Sequence, residues 1–500
     1  MRHSSASRGP RRQVIIERMR TLLTRRACLM VVIPIAGNFV AVMRGAAQNG
    51  LPDSIARRID AVFARFTPDA PGCAVGVYQN ARIAFAKGYG SANIEYAIPL
   101  TPQTPMIMGS VSKQFTAAAI ALLVDQQRIS LSDDIRKYVP ELKDHGKTVT
   151  IDHLVHHTSG IRDFWALNSA AGVRLDDGYT VDDILAIAAR QKRLNFDPGS
   201  EYAYSNTGYV LLGIVVQRVT GRSLRQFADE QIFTPLGMTH SHYHDDHNVP
   251  VMGRAFAYEP ARDGGWKIDV WNNDIVGQGG LMTTVEDLQR WDENFYTGTV
   301  GGPSFLARQR EQGRLSNGTT LAYAFGLEVG SYRGLPMVEH SGSTGGYRTD
   351  ITRFPTVHAS VVTMCNVSTA SSVGLAHEVA DVVLGGRFTQ PAPAPPSRAT
   401  TPSATVAANV SVAELSALVG RYYSQELNAT WELRLSGGTL LLLRARAMPD
   451  TLRAIDRQTL RAGAYTLRFN PAGRSSAPAF TLDFARVRGV EFAREVKGAP

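Results

Sequence analysis

The chain mixes segments in which apolar residues recur at every second position with segments in which they recur every three to four positions. The first pattern predicts strands in residues 72–93, which hold two runs, and again at about 323–330, 347–354 and 359–366. The second pattern predicts helices at about 110–127, 181–192 and 371–384. Strands at both ends with helices between them predict an α+β fold, in which the terminal strands share one antiparallel sheet flanked by helices and the inserted region is all helical.

Two helix boundaries are predicted by individual residues. Residues 209–233 are typical of two helices broken at Gly221. Residues 283–296 begin in a capping box, with Thr283 or Thr284 as N-cap and Glu286 or Asp287 reaching back.

The pattern changes near the C-terminus. Residues 389–412 are rich in Pro, Ala, Ser and Thr, which predicts a semi-extended linker. Residues 413–500 hold short alternating runs separated by turn residues, as in a small antiparallel sheet or barrel. The chain is therefore predicted to comprise a main domain at 48–388, a linker at 389–412 and a small β domain at 413–500.

The first 47 residues are typical of an export signal. A basic start, an apolar run and the small residues Gly45, Ala46 and Ala47 follow one another, and the pair Arg25-Arg26 indicates the twin-arginine route. We expect a periplasmic or secreted protein. An uncleaved leader that holds the protein at the membrane is the alternative, although Arg44 and the shortness of the apolar run argue against a full span.

The net charge of +9 does not indicate a nucleic-acid partner. Residues 1–48 contain nine arginines and one acid, Glu17, so they carry +8 of that charge and the remaining chain is near neutral. No basic patch with interleaved aromatic residues is present in the sequence. Of the three cysteines, Cys28 leaves with the leader, and Cys73 and Cys365 lie in apolar, strand-like stretches. Two buried free thiols are the favoured interpretation, with a disulfide as the alternative that suits a secreted protein.

The stretch "MGSVSKQFTAAAIALL" (108–123) places Ser110 three residues before Lys113, at the start of an apolar helix. Residues i and i+3 of a helix share one face, about 5–6 Å apart. A serine at a helix N-terminus is close to free N–H groups that favour developing negative charge. The lysine can assist removal of the serine proton, although an N-cap serine beside a solvated lysine would look the same.

A second polar group precedes another apolar helix, in "EYAYSNTGYVLLG" (201–213). Tyr204 is a candidate general base, because a neighbouring lysine would lower the pKa of its phenol. Asn206 is a candidate for binding a substrate amide and orienting Lys113. A third group, "VEHSGSTGGYR" (338–348), follows a strand-like run. Its Gly342 would permit close approach of a ligand backbone, and the N–H of Ser343 could join that of Ser110 as an oxyanion hole.

In this order, the three groups resemble the signature of the serine β-lactamase and penicillin-binding protein superfamily, which includes S-x-x-K. The resemblance is closest to the branch with class C β-lactamases, D-Ala-D-Ala carboxypeptidases, D-aminopeptidases and related esterases, which carries Tyr-x-Asn. The segments "LVHHTSGI" (154–161), "PGSEYAYSNTGY" (198–209), "PLGMTHS" (235–241) and "GQGGLMTTVEDLQRW" (277–291) also look like family text, over about 70–385. The resemblance implies a β-lactamase-like sheet with helices; small β-barrels, some lipocalin-like, are appended to members of the family.

The resemblance also implies roles for these residues. Ser110 is then the acyl-enzyme nucleophile, Lys113 and Tyr204 share the proton transfers, and Asn206 binds the substrate amide. The peptide N–H groups of Ser110 and Ser343 hold the oxyanion, and no metal or organic cofactor is implied.

One residue departs from the lactamase pattern. His340 stands where β-lactamases have lysine, as in the carboxypeptidase-like, aminopeptidase and esterase members. Because histidine is largely neutral at pH 7, capture of a substrate carboxylate is expected to weaken, which disfavours efficient β-lactam hydrolysis. Arg348 is either a substitute carboxylate clamp or a solvated strand arginine.

Two histidine-rich stretches invite a metal interpretation. "HSHYHDDHN" (240–248) has a spacing that matches no standard ligand set. "HLVHH" (153–157) is interpreted as packing and capping around a buried turn. We therefore expect no metal site.

The sequence thus predicts an exported serine hydrolase that acts through an acyl-enzyme on D-amino-acid or cell-wall peptides or on small esters. A β-lactamase is the first alternative. The second alternative, from another class, is a catalytically slow binding protein that keeps the pocket as a sensor or scaffold. The expected partner is a small molecule or peptide, while oligomeric state is left open.

Overall fold

The computed structural model describes residues 50–174, 176–392, 410–470 and 479–495. The predicted leader and most of the predicted linker lie outside these residues. Within the described ranges, no helix combines the length and apolar character needed to cross a membrane.

The helices surround and connect the strands of the main sheet. They are α1 (Asp53–Phe63), α2 (Lys113–Asp125), α3 (Ile151–Val155), α4 (Phe164–Ala171), α5 (Val181–Arg190), α6 (Asn206–Thr220), α7 (Leu224–Ala228), α8 (Thr234–Leu236), α9 (Val285–Thr297), α10 (Gly302–Gln309), α11 (Ser372–Leu384) and α12 (Val412–Ala417). Short 3₁₀ turns occur at Gly109–Ser112, Ile135–Lys137, Pro355–Val357 and Gly385–Arg387, and a π-helical turn occurs at Asp229–Phe233.

The strands fall into two groups. The first group is β1 (Cys73–Gln79), β2 (Arg82–Tyr89), β3 (Ser91–Asn93), β4 (Ile98–Pro99), β5 (Met106–Ile107), β6 (His242–Tyr243), β7 (Ala257–Pro260), β8 (Trp266–Asp269), β9 (Leu281–Thr283), β10 (Glu328–Tyr332), β11 (Leu335–Thr344), β12 (Tyr347–Phe354) and β13 (Ala359–Cys365). The second group is β14 (Gly420–Ser424), β15 (Ala429–Ser436), β16 (Thr439–Leu443), β17 (Asp450–Ala454), β18 (Thr459–Ala462), β19 (Tyr465–Phe469), β20 (Phe480–Phe484) and β21 (Val487–Arg494).

A six-stranded antiparallel sheet forms the centre of the main part, in the order β10-β11-β12-β13-β1-β2. The first and last strands of this part are therefore neighbours, which confirms the predicted α+β arrangement. Apolar residues of α1 and α11 pack with one face of the sheet, and residues of α2, α6 and α9 pack in a cluster with the other. The expected strand at 323–330 begins only at Glu328, because the residues before it form turns that lead into the sheet.

The region between β2 and β10 is not all helical, so that expectation was wrong. It also contains β3–β9, which form one three-stranded and two two-stranded sheets. These short pairings satisfy backbone N–H and C=O groups where long connections pass close to each other. Such local pairing leaves little periodicity in the sequence.

Both residue-level helix boundaries have a structural counterpart. Gly221 follows α6 with φ +75°, a left-handed conformation that glycine adopts without strain. Thr284 is the N-cap of α9 and accepts the N–H of Asp287 at 3.1 Å. The capping box is only half formed, because the Asp287 carboxylate accepts the N–H of His240 and the hydroxyl of Ser241 instead.

The C-terminal strands β14–β21 form a closed antiparallel barrel. Apolar side chains fill its interior, among them Trp431, Leu433 and Phe492. The barrel packs against helix α4, whose Leu167 and Ala170 belong to the same apolar cluster. The indole Nε1 of Trp431 donates to the carbonyl of Ala170 at 2.9 Å, so the barrel core and α4 are joined directly.

A buried ion pair also lies at this junction. The guanidinium of Arg162 contacts the carboxylate of Glu426, and the exposed fractions of these residues are 1% and 2%. Arg162 also donates from Nη2 to the carbonyl of Arg488 at 2.6 Å. Because removing one member of such a pair leaves a desolvated charge, a single substitution at Arg162 or Glu426 is expected to destabilise this junction.

The interpretation of Cys73 and Cys365 as free thiols was wrong, because the two residues form a disulfide. They lie opposite each other on the neighbouring strands β1 and β13, with 3.9 Å between their Cα atoms. They are 292 positions apart in the chain, and only the sheet topology brings them together. Spacing along the sequence could not show this pairing.

We expect the double variant Cys73→Ala/Cys365→Ala to have a free energy of unfolding lower by about 2–4 kcal/mol, because the disulfide restricts the unfolded chain. Urea unfolding of both proteins measures the difference. As a control, a reductant present during unfolding should destabilise only the unsubstituted protein. Equal unfolding free energies under oxidising conditions would contradict the prediction.

Candidate active site

Ser110 and Lys113 lie at the junction between the 3₁₀ turn Gly109–Ser112 and helix α2. Ser110 is partly exposed, whereas Lys113 is fully buried. Their side chains meet, with 3.1 Å between Lys113 Nζ and Ser110 Oγ. The predicted i, i+3 arrangement is therefore present, and the lysine is not solvated.

Two further oxygen atoms surround the Lys113 amine. Its Nζ lies 2.9 Å from Asn206 Oδ1 and 2.6 Å from the carbonyl oxygen of Gln278. Burial lowers the pKa of Lys113 well below its ordinary value; Asp163 opposes this shift and Arg486 adds to it. A neutral amine has two N–H groups for the two carbonyl oxygens, which leaves its lone pair for the Ser110 hydroxyl. The geometry can thus activate a serine.

Asn206, the first residue of α6, is held in place by an acid that the sequence analysis missed. The carboxylate Oδ2 of Asp163 accepts the side-chain N–H of Asn206 at 2.7 Å and its backbone N–H at 2.8 Å. These bonds fix which end of the Asn206 amide faces Lys113. Asp163 is also the N-cap of α4, a role that its position before an apolar helix could have indicated.

The ring of Tyr204 stands beside the same amine, with its centroid 4.8 Å from Lys113 Nζ. The expected lowering of its pKa was wrong. Burial raises the pKa of Tyr204 well above its ordinary value, and this effect outweighs the opposing contributions of the Ser110 hydroxyl and of Arg486. Tyr204 is therefore a protonated phenol near neutral pH, suited to give a proton rather than to take one first.

Aromatic rings pack around Tyr204 and hold it in position. The ring of His157 packs against it at a tilt, with centroids 4.2 Å apart, and His157 Nδ1 accepts the backbone N–H of Ser205 at 3.1 Å. His153 closes a capping box with Thr150 at the start of α3. The interpretation of "HLVHH" as packing and capping agrees with these contacts.

His340, on β11, is a neutral imidazole in the fold. Burial lowers its pKa to about 3, and the charge of Lys113 acts in the same direction. Its Nδ1 lies 2.7 Å from the carbonyl oxygen of Ser341, and its Nε2 lies 3.0 Å from the hydroxyl of Tyr323. One N–H donor and one acceptor satisfy these partners without a charge. His340 therefore provides no cation for a substrate carboxylate.

Gly342 allows a close approach, but the partner is the chain itself and not the expected ligand backbone. A Cβ atom there would lie 2.0 Å from the carbonyl oxygen of Met108. Gly109 has φ +51°, and a Cβ on it would lie 2.8 Å from the amide nitrogen of Ser343. These glycines bring β11 against the turn that carries Ser110. The backbones of Ser110 and Ser343 are thus neighbours, as an oxyanion hole requires.

A cleft of about 700 Å³ opens over these residues. Its lining comes from both the main part and the barrel: Ser110, Asp163, Trp165, Ala166, Tyr204, Asn206, Gln278, Gly279, Glu328, His340, Ser341, Ser343, Thr344, Ala485 and Arg486. Arg348 is not among them; it borders a neighbouring cavity and donates to the carbonyl of Tyr347 at 2.8 Å. Arg348 is half-buried, and its cavity shares Trp165, Ser343 and Thr344 with the cleft, so its two alternative roles both stay predictions.

The histidines of 240–248 bond mainly to the chain. His247 Nδ1 lies 2.9 Å from Asp274 Oδ1, and His242 Nε2 lies 3.3 Å from His244 Nδ1. Asp246, His247 and Asp274 bring possible ligand atoms within 4.8 Å of one another. Asp246 is exposed, and such acidic groups are common without an ion. The expected absence of a metal stays a prediction.

Besides Asp163, the cleft residues that the sequence analysis did not name as site residues include Gln278, Glu328 and Arg486. Gln278 acts through its backbone carbonyl, which carries no residue-specific signal. Arg486 lies in the barrel, and nothing in its local sequence ties it to Ser110. Only the packing of the barrel on the main part places it there.

A buried amine beside a serine at a helix start, on this sheet and helix arrangement, defines a serine hydrolase. The family model described as Beta-lactamase matches residues 56–384. The chain belongs to this family, as the motif resemblance implied.

The chain is also similar to individual proteins. It is 28% identical over 423 residues to a D-aminopeptidase of Gluconobacter oxydans (strain 621H), covering 84% of this chain and 75% of the relative. An octameric penicillin-binding protein homologue from Pyrococcus abyssi superposes with a TM-score of 0.59 at 23% identity, over 87% of this chain and 98% of that structure. A D-amino acid amidase from Ochrobactrum anthropi SV3 superposes with a TM-score of 0.56 at 20% identity, over 67% and 99%. These two structures share the fold.

Proposed function

We propose that the protein is an exported serine hydrolase that cleaves amide bonds of D-amino-acid peptides or amides, and small esters, through an acyl-enzyme on Ser110. The observation that carries the proposal is the contact of Ser110 Oγ with the buried Lys113 amine at 3.1 Å. The names of the D-aminopeptidase and D-amino acid amidase relatives support the choice of substrate.

Acylation begins with proton transfer from Ser110 Oγ to Lys113 Nζ, while Oγ forms a bond to the substrate carbonyl carbon. The backbone N–H groups of Ser110 and Ser343 stabilise the oxyanion, and Asn206 orients the acyl amide. Because a protonated Lys113 stays hydrogen-bonded to Asn206 and Gln278, the charge it gains is solvated by fixed dipoles.

The leaving group departs with a proton from Tyr204, whose pKa is raised by burial. Lys113 then returns its proton to the Tyr204 oxygen, which restores both groups. Water attacks the acyl-enzyme by the same steps in reverse order, and Ser110 recovers its proton. Neutral His340 offers no charge to the carboxylate of a β-lactam, which supports peptide or ester hydrolysis over β-lactam hydrolysis.

A side-by-side assay tests the substrate class. D-Ala-4-nitroanilide, its L-Ala counterpart, 4-nitrophenyl butyrate and nitrocefin are compared by kcat/KM. We expect turnover of the D-anilide or the ester, and preference for D-Ala over L-Ala. Dominant turnover of nitrocefin would contradict the proposal. The absence of a fluorophosphonate adduct at Ser110, together with no turnover of any substrate, would favour a binding protein.

We expect Tyr204→Phe to lower kcat for an anilide by about 10²-fold or more, because the leaving amine loses its proton donor. A substrate with a 4-nitrophenolate leaving group needs no such proton, so its acylation rate should fall much less. Stopped-flow measurement of the released chromophore compares the two. Equal losses for anilide and ester would remove Tyr204 from the role of proton donor.

We also propose export by the twin-arginine route, supported by the leader residues Arg25 and Arg26 and by the Cys73–Cys365 disulfide, which suits an oxidising compartment. Cell fractionation with Arg25→Lys/Arg26→Lys tests this proposal. The unsubstituted protein should be found outside the cytoplasm and the variant should remain inside. Export of the variant would contradict the route.

A further inference from the structure

The barrel contributes a charged residue to the cleft at the tip of the β20–β21 hairpin. Phe484 pairs with Val487, so Ala485 and Arg486 form a two-residue turn between the strands. Ala485 has φ +43°, a left-handed conformation that is unfavourable for a residue with a Cβ atom. Both turn residues line the cleft that contains Ser110. The strained turn therefore lies at the site.

The backbone of this turn is fixed to the main part. Asn195 donates from Nδ2 to the carbonyl of Arg486 at 2.8 Å and accepts the N–H of Arg488 at 2.9 Å. The carbonyl of Arg488 accepts from the buried Arg162. These bonds hold the main chain of Arg486 at the cleft independently of its side-chain contacts.

The guanidinium of Arg486 lies close to the reacting groups. Its central carbon is 4.8 Å from the centroid of the Tyr204 ring, and its Nη1 is 3.5 Å from the carboxylate of Asp163. Its side chain is 48% exposed, whereas that of Asp163 is 3% exposed. The Asp163 carboxylate already accepts three N–H groups, two from Asn206 and one from Ala166. Arg486 therefore retains N–H donors for a ligand.

Arg486 differs from the other basic residues near Ser110 in its charge. His340 is neutral, and burial disfavours the charged form of Lys113. Of the described side chains that line the cleft, Arg486 alone carries a permanent positive charge. Glu328, an exposed residue, also lines the cleft. A guanidinium whose N–H groups are available can form two parallel hydrogen bonds with a carboxylate.

We propose that Arg486 is a specificity residue that binds a carboxylate on the leaving group of the substrate. The leaving-group side follows from its contact with Tyr204, which gives its proton to that group in the proposed mechanism. This inference rests on the proposed function. In this proposal, the barrel makes the enzyme prefer substrates with anionic leaving groups, a preference that the motifs of the main part do not provide.

Two chromogenic substrates that differ in one carboxylate test the proposal: D-Ala-4-nitroanilide and D-Ala-(3-carboxy-4-nitroanilide). We expect the unsubstituted protein to favour the carboxylated anilide in kcat/KM. Arg486→Gln should lower that preference about tenfold or more, mainly through KM, because a charge-assisted hydrogen bond is lost. Any effect of Arg486 on the pKa of Lys113 acts on both substrates and cancels in the ratio.

Arg488→Gln is the matched control on the same hairpin. It removes an ion pair with Glu201 outside the cleft lining but keeps the backbone bonds of the turn. We expect it to leave the preference unchanged. Equal losses of both activities in Arg486→Gln would mean that Arg486 only balances Asp163, and an unchanged preference would mean that it does not contact the substrate. Either result would overturn the proposal.

Binding of the product separates this inference from the proposed function. Calorimetry compares 5-amino-2-nitrobenzoate, the carboxylated leaving group, with 4-nitroaniline. If the unsubstituted protein binds the benzoate more tightly than 4-nitroaniline and Arg486→Gln loses this difference, the result supports the subsite. It would do so even if neither anilide were hydrolysed, a result that would contradict only the proposed function. If the neutral anilide is hydrolysed but neither assay shows a preference for the carboxylated compound that depends on Arg486, only the subsite is contradicted.

Discussion

Replacing Ser110 with alanine is expected to lower kcat for D-Ala-4-nitroanilide on the order of 10⁵-fold or more, because the covalent route through the serine ester disappears. The remaining groups can still bind substrate, so KM should change far less than kcat. Fluorophosphonate labelling followed by peptide mass spectrometry gives the second readout. The adduct should be found on Ser110 in the unsubstituted protein and should be absent from Ser110→Ala.

Ser112 provides the matched control for this variant. It lies on the same 3₁₀ turn, but its hydroxyl donates to the carbonyl of Gly109 at 2.6 Å and accepts the N–H of Leu281 at 3.1 Å. Ser112→Ala should therefore lower stability by about 1 kcal/mol while labelling at Ser110 persists. Normal turnover in Ser110→Ala, or labelling that depends on Ser112 alone, would show that another nucleophile operates.

Lys113→Met is expected to lower the acylation rate by about 10³–10⁴-fold, because Tyr204, which also contacts the Ser110 hydroxyl, has a pKa raised by burial and stays protonated, so it does not replace the amine as a base. Methionine has a similar length and suits the buried position, so the variant should fold. Circular dichroism and urea unfolding check the fold, and single-turnover kinetics measure acylation. Lys113→Arg keeps a positive charge that cannot act as a base, so it should be similarly inactive. An active Lys113→Arg would show that charge, not basicity, is what the site needs.

The same residue determines the direction of the pH dependence. A base must be unprotonated, so activity should be lost as pH falls through the pKa of Lys113. Burial lowers that pKa, which places the acidic limb of kcat/KM below the ordinary lysine range. Because burial raises the pKa of Tyr204, the proton donor should stay competent well into alkaline pH. His340, with a pKa of about 3, should contribute no step near neutrality. An acidic limb of kcat/KM near the ordinary lysine pKa would contradict the prediction that the pKa of Lys113 is lowered.

The residues that carry the candidate chemistry could be predicted because each lies beside a strong local pattern. Ser110 and Lys113 open one apolar helix, and Asn206 opens another. Alternating runs in residues 413–500 predicted a small antiparallel sheet or barrel there, and the structure shows a closed barrel. The order of the three motifs around Ser110, Tyr204 and His340 then indicated that these distant segments form one site, which hydrophobic periodicity alone cannot show.

What could not be predicted depends on burial and on distant partners. The motif predicts that Tyr204 lies near a lysine, which alone would lower the pKa of its phenol. Only the structure shows that Tyr204 is buried against His157 and that this burial raises the pKa instead. The Cys73–Cys365 pairing required the strand order. Asp163 had a visible helix-capping pattern, whereas its bonds to Asn206 had none.

The docking of the C-terminal hairpin has a consequence for the order of events during synthesis. The ribosome completes the nucleophile, its amine and the tyrosine long before it delivers the hairpin that closes one wall of the cleft. A nascent chain can therefore hold the reactive serine while its substrate discrimination is still unfinished. The selectivity proposed for Arg486 is reached only after the β20–β21 hairpin has been translated and has folded.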